Sequence, residues 1–100
     1  GSVLDVLLDL RQGRTYGTTA SAELSFENGY IICIPKGVAH GFVSHEDQTM
    51  MLYKTSTVHN PGSDSGIRWD SFGFDWGVAA PVLSSRDINH RQFHDFVSPF

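Results

Sequence analysis

Residues 34–42 read IPKGVAHGF, a Pro-Lys-Gly corner running directly into an apolar stretch broken by one histidine. Side chains on a strand alternate with period two, so a strand that begins after the corner aims His40 and Phe42 at one face. If that strand is one wall of a barrel, the face is the interior, and His40 points into it.

The segments on either side carry the same β signature. Residues 3–10, VLDVLLDL, fit a helical stripe as well as a buried strand, and the aspartates and the Arg-Gln-Gly-Arg turn that follows favour a strand. Residues 15–24 are rich in threonine and small side chains, residues 27–29 form a tight Glu-Asn-Gly turn, and residues 30–34 are apolar and β-branched. After the polar tip at 45–48 (HEDQ), residues 49–57 (TMMLYKTST) read as the return strand of a hairpin. The stretch 60–77 is loop-like, and its aromatic residues are expected to dock back onto the core. The tail from Leu83 predicts one short helix capped by Ser84 or Ser85. Many short strands with Gly, Pro and Asn turns, and no alternation with long helices, indicate an all-β sandwich or barrel, for which a jelly roll is the natural candidate.

The composition narrows the possible roles. With 100 residues, 40% of them hydrophobic, the chain suits one packed domain over residues 1–100 and is not of disordered type. The net charge of −4 is spread without any basic run, which excludes the positive stripe of a nucleic-acid binder, although a few arginines around one pocket suffice for a nucleotide ligand. The apolar stretches fall far short of the roughly 20 residues of a membrane-spanning helix, and no signal pattern is present. The single cysteine, Cys33, cannot form an internal disulfide; within YIICIP it is expected to be buried as a small hydrophobe, as suits a reducing cytoplasm.

Three polar groups belong to segments expected to face a barrel interior or its mouth: His40, Tyr53 and Asp87. An imidazole and a phenol supply proton donors and acceptors, and a carboxylate beside an imidazole fixes its tautomer and raises its basicity. Hydrogen-bonded core packing is the competing reading for each. A metal site has little support, because the sequence has no His-x-His. His90 and His94 are spaced to share a helix face but have no evident partner, and read as solvent-facing. In the loop, Arg68 or Trp69 could border a ligand cleft.

IPKGVAHGF, then MLYKTST, SGIRWDS and LSSRD, in this order and spacing over residues 3–87, resemble the dTDP-4-dehydrorhamnose 3,5-epimerase family. The resemblance implies a cupin-type jelly-roll barrel, complete or incomplete, with a short C-terminal helix. It also implies metal-independent epimerisation of a nucleotide-linked 4-keto-6-deoxy sugar, with no cofactor, in a cytoplasmic homodimer. By motif, Tyr53 corresponds to the proton donor, Asp87 to the partner of the catalytic histidine, and His40 to a pocket histidine near the sugar. His59 stands where the family carries an aromatic wall, and Arg68 is a further substrate-binding candidate. The family's base lies in an upstream strand with the pattern Arg-Gly-x-His, which this chain lacks. Three readings therefore stand: the carboxy-terminal portion of a sugar epimerase, a non-catalytic module that binds a sugar or nucleotide, or a shorter enzyme in which His40, His59 or a C-terminal histidine serves as base.

Overall fold

The apolar segment near the start of the chain forms the centre of the protein. The computed structural model describes residues 1–100, and its strands are β1 (Ser2–Asp9), β2 (Thr19–Ser25) and β3 (Val38–Ser44). They make one antiparallel sheet in the order β2-β1-β3. A strand paired on both sides buries its backbone polar groups in the ladder and can be apolar on both faces. Accordingly Val3, Val6, Leu8 and Leu10 are the buried apolar residues of the chain. The architecture is therefore all-β, as expected, and the sheet is open, with β2 and β3 each paired on one side only.

The corner before β3 owes its form to Gly37. This residue has φ +86, and a Cβ there would lie 2.6 Å from Arg11 Cγ and 3.2 Å from Phe100 Cβ. Only glycine combines that backbone with that approach. The Gly37 carbonyl accepts from Leu10 N at 2.9 Å, which joins the corner to the end of β1. At the same end the buried Asp9 carboxylate accepts from Arg11 N at 2.9 Å, Arg11 Nε and Nη2 at 3.0 Å each and Thr15 Oγ1 at 2.7 Å. These bonds, first those from Arg11 and then that from Thr15, hold the Asp9 carboxyl well below the usual carboxylate range. The C-terminal residues strap this end: Ser98 Oγ donates to Leu10 O, Gln12 Nε2 donates to Ser98 O, and Tyr16 stacks on Phe93.

Two expected strands are not formed. Residues 30–34 and 49–57 pair with no neighbour, and Ile31 and Leu52 stand exposed. Their apolar, β-branched composition is a preference for a half-buried pleated surface, and a strand forms only where an edge accepts it. The turn after β2 is closed by Asn28, whose side-chain oxygen accepts from the backbone amides of Ser25 and Tyr30; the chain beyond it does not return to the edge of β2. Cys33 is likewise exposed rather than buried; the run that contains it pairs with no strand, and only Ile32 and Ile34 in it are half-buried.

The tail forms a helix, α1 (Ser85–Ile88), capped by Ser84, whose Oγ accepts from Asp87 N at 3.1 Å. The helix ends at Ile88, so His90 and His94 do not share a helix face. His94 is exposed beside Asp95, whereas the His90 side chain is only 16% exposed, contrary to the solvent-facing expectation. No helix is long and apolar enough to cross a membrane. The total surface of 7689 Å² exceeds by about 2,000 Å² the roughly 5,700 Å² expected of a compact monomer of 100 residues.

Candidate active site

Strand alternation and register place the first polar pair. Asp5 lies opposite Phe42 and Leu7 opposite His40 across β1 and β3, so these four side chains share one face of the sheet. Asp5 is 1% exposed; its Oδ2 is 3.5 Å from His40 Nδ1, while its Oδ1 is buried without a hydrogen-bond partner. Burial pushes the Asp5 carboxyl up from its ordinary value, and the neighbouring imidazole pulls it back only in part. A buried carboxylate this poorly satisfied costs stability. Its place behind the imidazole fixes a proton on Nδ1 and leaves Nε2 as the ring nitrogen available to a ligand.

Tyr53 stands next to this pair. Its ring meets His40 edge-on, with centroids 6.1 Å apart and an interplanar angle of 68°. Both line a cavity of about 970 Å³ that also takes in Trp69, Phe72, Trp76 and Asp87. Every residue of β3 lines it, so the cavity follows the strand's free edge and draws on both faces. At the back of β3, Trp76 comes so close to Gly41 that a Cβ there would lie 3.3 Å from the indole. The indole is fixed by donation from Trp76 Nε1 to Trp69 O at 2.9 Å and by edge-on contacts with Phe72 and Phe74. The loop aromatics thus dock onto the sheet, as their composition suggested. Apolar walls with a few convergent polar groups suit a small organic ligand.

His40, Tyr53 and Asp87 all line this cavity, which wraps the free edge of β3; His40 and Tyr53 meet each other there, and the Asp87 side chain pairs with His90 rather than with either of them. Arg68 and His59 are not among its lining residues. The Arg68 guanidinium is engaged by Asp70, with Nε 2.7 Å from Oδ1 and Nη2 3.3 Å from Oδ2. His59 is exposed. Asp5 was not singled out from the sequence, and His90 was read there as solvent-facing. Asp5 could have been found as an acid in phase with Val3 and Leu7 in the middle of the apolar run. His90 carried no such signal, because its position depends on where α1 ends. No three of the His, Cys, Asp and Glu side chains converge as a metal site would require.

Comparison with known proteins adds ancestry to this geometry. Residues 1–95 match the family model described as dTDP-4-dehydrorhamnose 3,5-epimerase. Proteins of that name are similar to this chain at 38% identity in Shigella flexneri, covering 95% of this chain and 54% of the relative, and at 40% in Sinorhizobium fredii, covering 87% and 47%. A third, from Methanothermobacter thermautotrophicus, is 36% identical, covering 95% and 55%. The chain thus spans about half the length of the curated relatives it matches.

Proposed function

The chain belongs to the dTDP-4-dehydrorhamnose 3,5-epimerase family, and from that premise we propose that it takes part in epimerising the carbons that flank the keto group of a nucleotide-linked 4-keto-6-deoxy sugar. The observation that carries this reading is the grouping of His40, backed by buried Asp5, with Tyr53 and Asp87 on one cavity.

The chemistry follows from the carbonyl. A keto group acidifies the hydrogens on both adjacent carbons, so a base can remove one and leave an enolate. Inversion requires the proton to return on the opposite face, from an acid of its own. The Tyr53 phenol is that acid, and His40 Nε2 hydrogen-bonds the sugar oxygens, with Asp5 holding the ring. Asp87 is the carboxylate that orients the base imidazole. In the family pattern that imidazole comes from Arg-Gly-x-His, which is not found in residues 1–100, so exchange by these residues requires one of their own histidines to take the proton. Trp69 and Phe72 supply apolar walls for the ligand.

The three strands are read here as part of a cupin-type jelly roll, with residues 1–100 acting as one domain. The free edges of β2 and β3 and the unpaired extended segments support that reading. The excess surface, rich in apolar side chains such as Ile31, Leu52 and Val58, supports a homodimer, because covering it on both chains would bury about 4,000 Å² in all, within the roughly 2,000–5,000 Å² of obligate homodimer interfaces. Sedimentation at low micromolar concentration is expected to give twice the chain mass; a stable monomer there would remove the dimer from the proposal. The single cysteine, leaving no internal disulfide, fits a cytoplasmic location.

The test is solvent exchange. The chain is incubated with a dTDP-4-keto-6-deoxy sugar in heavy water, and the hydrogens beside the carbonyl are followed by proton NMR. Protein-dependent loss of those signals is the expected result. A second reading, a sugar- or nucleotide-binding module, would give saturable binding with no exchange. Neither binding nor exchange would overturn both.

A further inference from the structure

We propose that His90 is a positioning residue that holds the Asp87 carboxylate toward the cavity shared with Tyr53 and His40. The proposal rests on the epimerase reading for its catalytic consequence and on side-chain geometry for the pairing itself. His90 Nε2 lies 3.4 Å from Asp87 Oδ1, and both residues line the cavity. Both members of this pair line the cavity, whereas Asp5, 3.5 Å from His40, stands behind its partner and is not a lining residue.

The ring of His90 has a fitted seat. A Cβ at Gly66 would fall 2.5 Å from His90 Nε2, 2.7 Å from Cε1 and 2.8 Å from Cδ2, so the imidazole rests where any other residue at position 66 would put its side chain. The flanking backbone is tied down as well: Ile67 bridges to Arg91, and Arg68 N donates to Arg91 O at 2.7 Å. On the carboxylate side, Asp87 sits in the first turn of α1 under its Ser84 cap. The preceding residue, Arg86, is anchored by donation from Nη1 to Asp64 Oδ2 at 2.7 Å. Half-exposed Asp87 has no other side-chain partner in the chain, so without His90 its carboxylate would rotate among solvent-facing rotamers. A carboxylate that must orient a base loses about 10- to 100-fold in rate when its geometry is left loose.

Two readouts test this. Nitrogen-15 NMR of the histidine rings is expected to find His90 in a single Nε2–H tautomer, donating to Asp87. That signature should be lost in Asp87→Ala, and also in Gly66→Ala, where the new Cβ displaces the ring without altering its chemistry. In the exchange assay, His90→Ala should lower the rate at saturating sugar about 10- to 100-fold with little change in KM. His90→Gln, which keeps a donor near the Nε2 position, should recover most of that loss. A ring signature indifferent to Asp87→Ala would overturn the pairing, and a His90→Ala chain exchanging at the parent rate would overturn its catalytic role. A parent chain with no exchange would overturn the epimerase reading, and the ring signature would still decide whether His90 holds Asp87.

Discussion

Tyr53→Phe is expected to abolish inversion of the sugar, lowering its rate about 10²- to 10⁴-fold, the span of a lost general acid, while the fold is unchanged. The substitution removes one oxygen and nothing else. Tyr53 is 60% exposed and meets His40 through its ring, a contact phenylalanine preserves. Its hydroxyl makes no hydrogen bond within the chain, so the thermal midpoint should move by no more than about 0.5 kcal/mol equivalent, as for an ordinary surface change. The two halves of the reaction should separate in this variant. In the proposed reaction, removal of the hydrogen beside the carbonyl does not use the phenol, so deuterium still enters from the base side. Return of a proton to the other face does use it, so deuterium enters with retention and no inverted sugar accumulates. Inversion at the parent rate in Tyr53→Phe would remove Tyr53 from the mechanism.

The features legible in the sequence are those set by local pattern. The strand character of VLDVLLDL, the glycine corner at Gly37, the alternation that puts His40 and Phe42 on one face, and the Ser84 cap all follow from a few adjacent residues, and the structure holds each of them. Features set by distant partners were not legible. Residues 30–34 have strand composition, but strand formation is decided by whether another edge is free to pair. Asp5 was hidden within an apolar run, and its meaning comes only from a register that brings His40 diagonally across from it. His90 depends on α1 stopping at Ile88, where the Asn89 amide closes the last turn on Arg86 O, and on Gly66 leaving room for its ring. Arg68 shows the converse case: a cation beside a cavity in sequence terms can be neutralised two residues away, as Asp70 does here.

His40→Leu is expected to destabilise the protein by about 1–3 kcal/mol near neutral pH, the cost of leaving a buried acceptor without its donor. Leucine keeps comparable bulk over Asp5, which is 1% exposed, so water does not take the place of the lost nitrogen. Both carboxylate oxygens would then be buried without a donor, since Oδ1 has none even in the parent. The sign of the pH dependence follows from the direction of the shift. Burial raises the Asp5 carboxyl above its unfolded value, so the folded state binds the proton more tightly and stability falls as pH rises through the folded-state value. His40 opposes that fall, so its loss extends the fall to higher pH. Urea midpoints should therefore lie close together for parent and variant near pH 4 and diverge by about pH 7. Adding Asp5→Val to His40→Leu removes the charge along with its partner, and the double variant should regain the parent's stability or exceed it, as well-packed apolar replacements of buried pairs do. It should also lose the sugar reaction, which would identify the pair as retained for the imidazole it presents to the cavity and not for the stability of the sheet. Equal destabilisation of His40→Leu at both pH values, with no rescue by Asp5→Val, would mean that Asp5 is solvated and that the imidazole is held by something else.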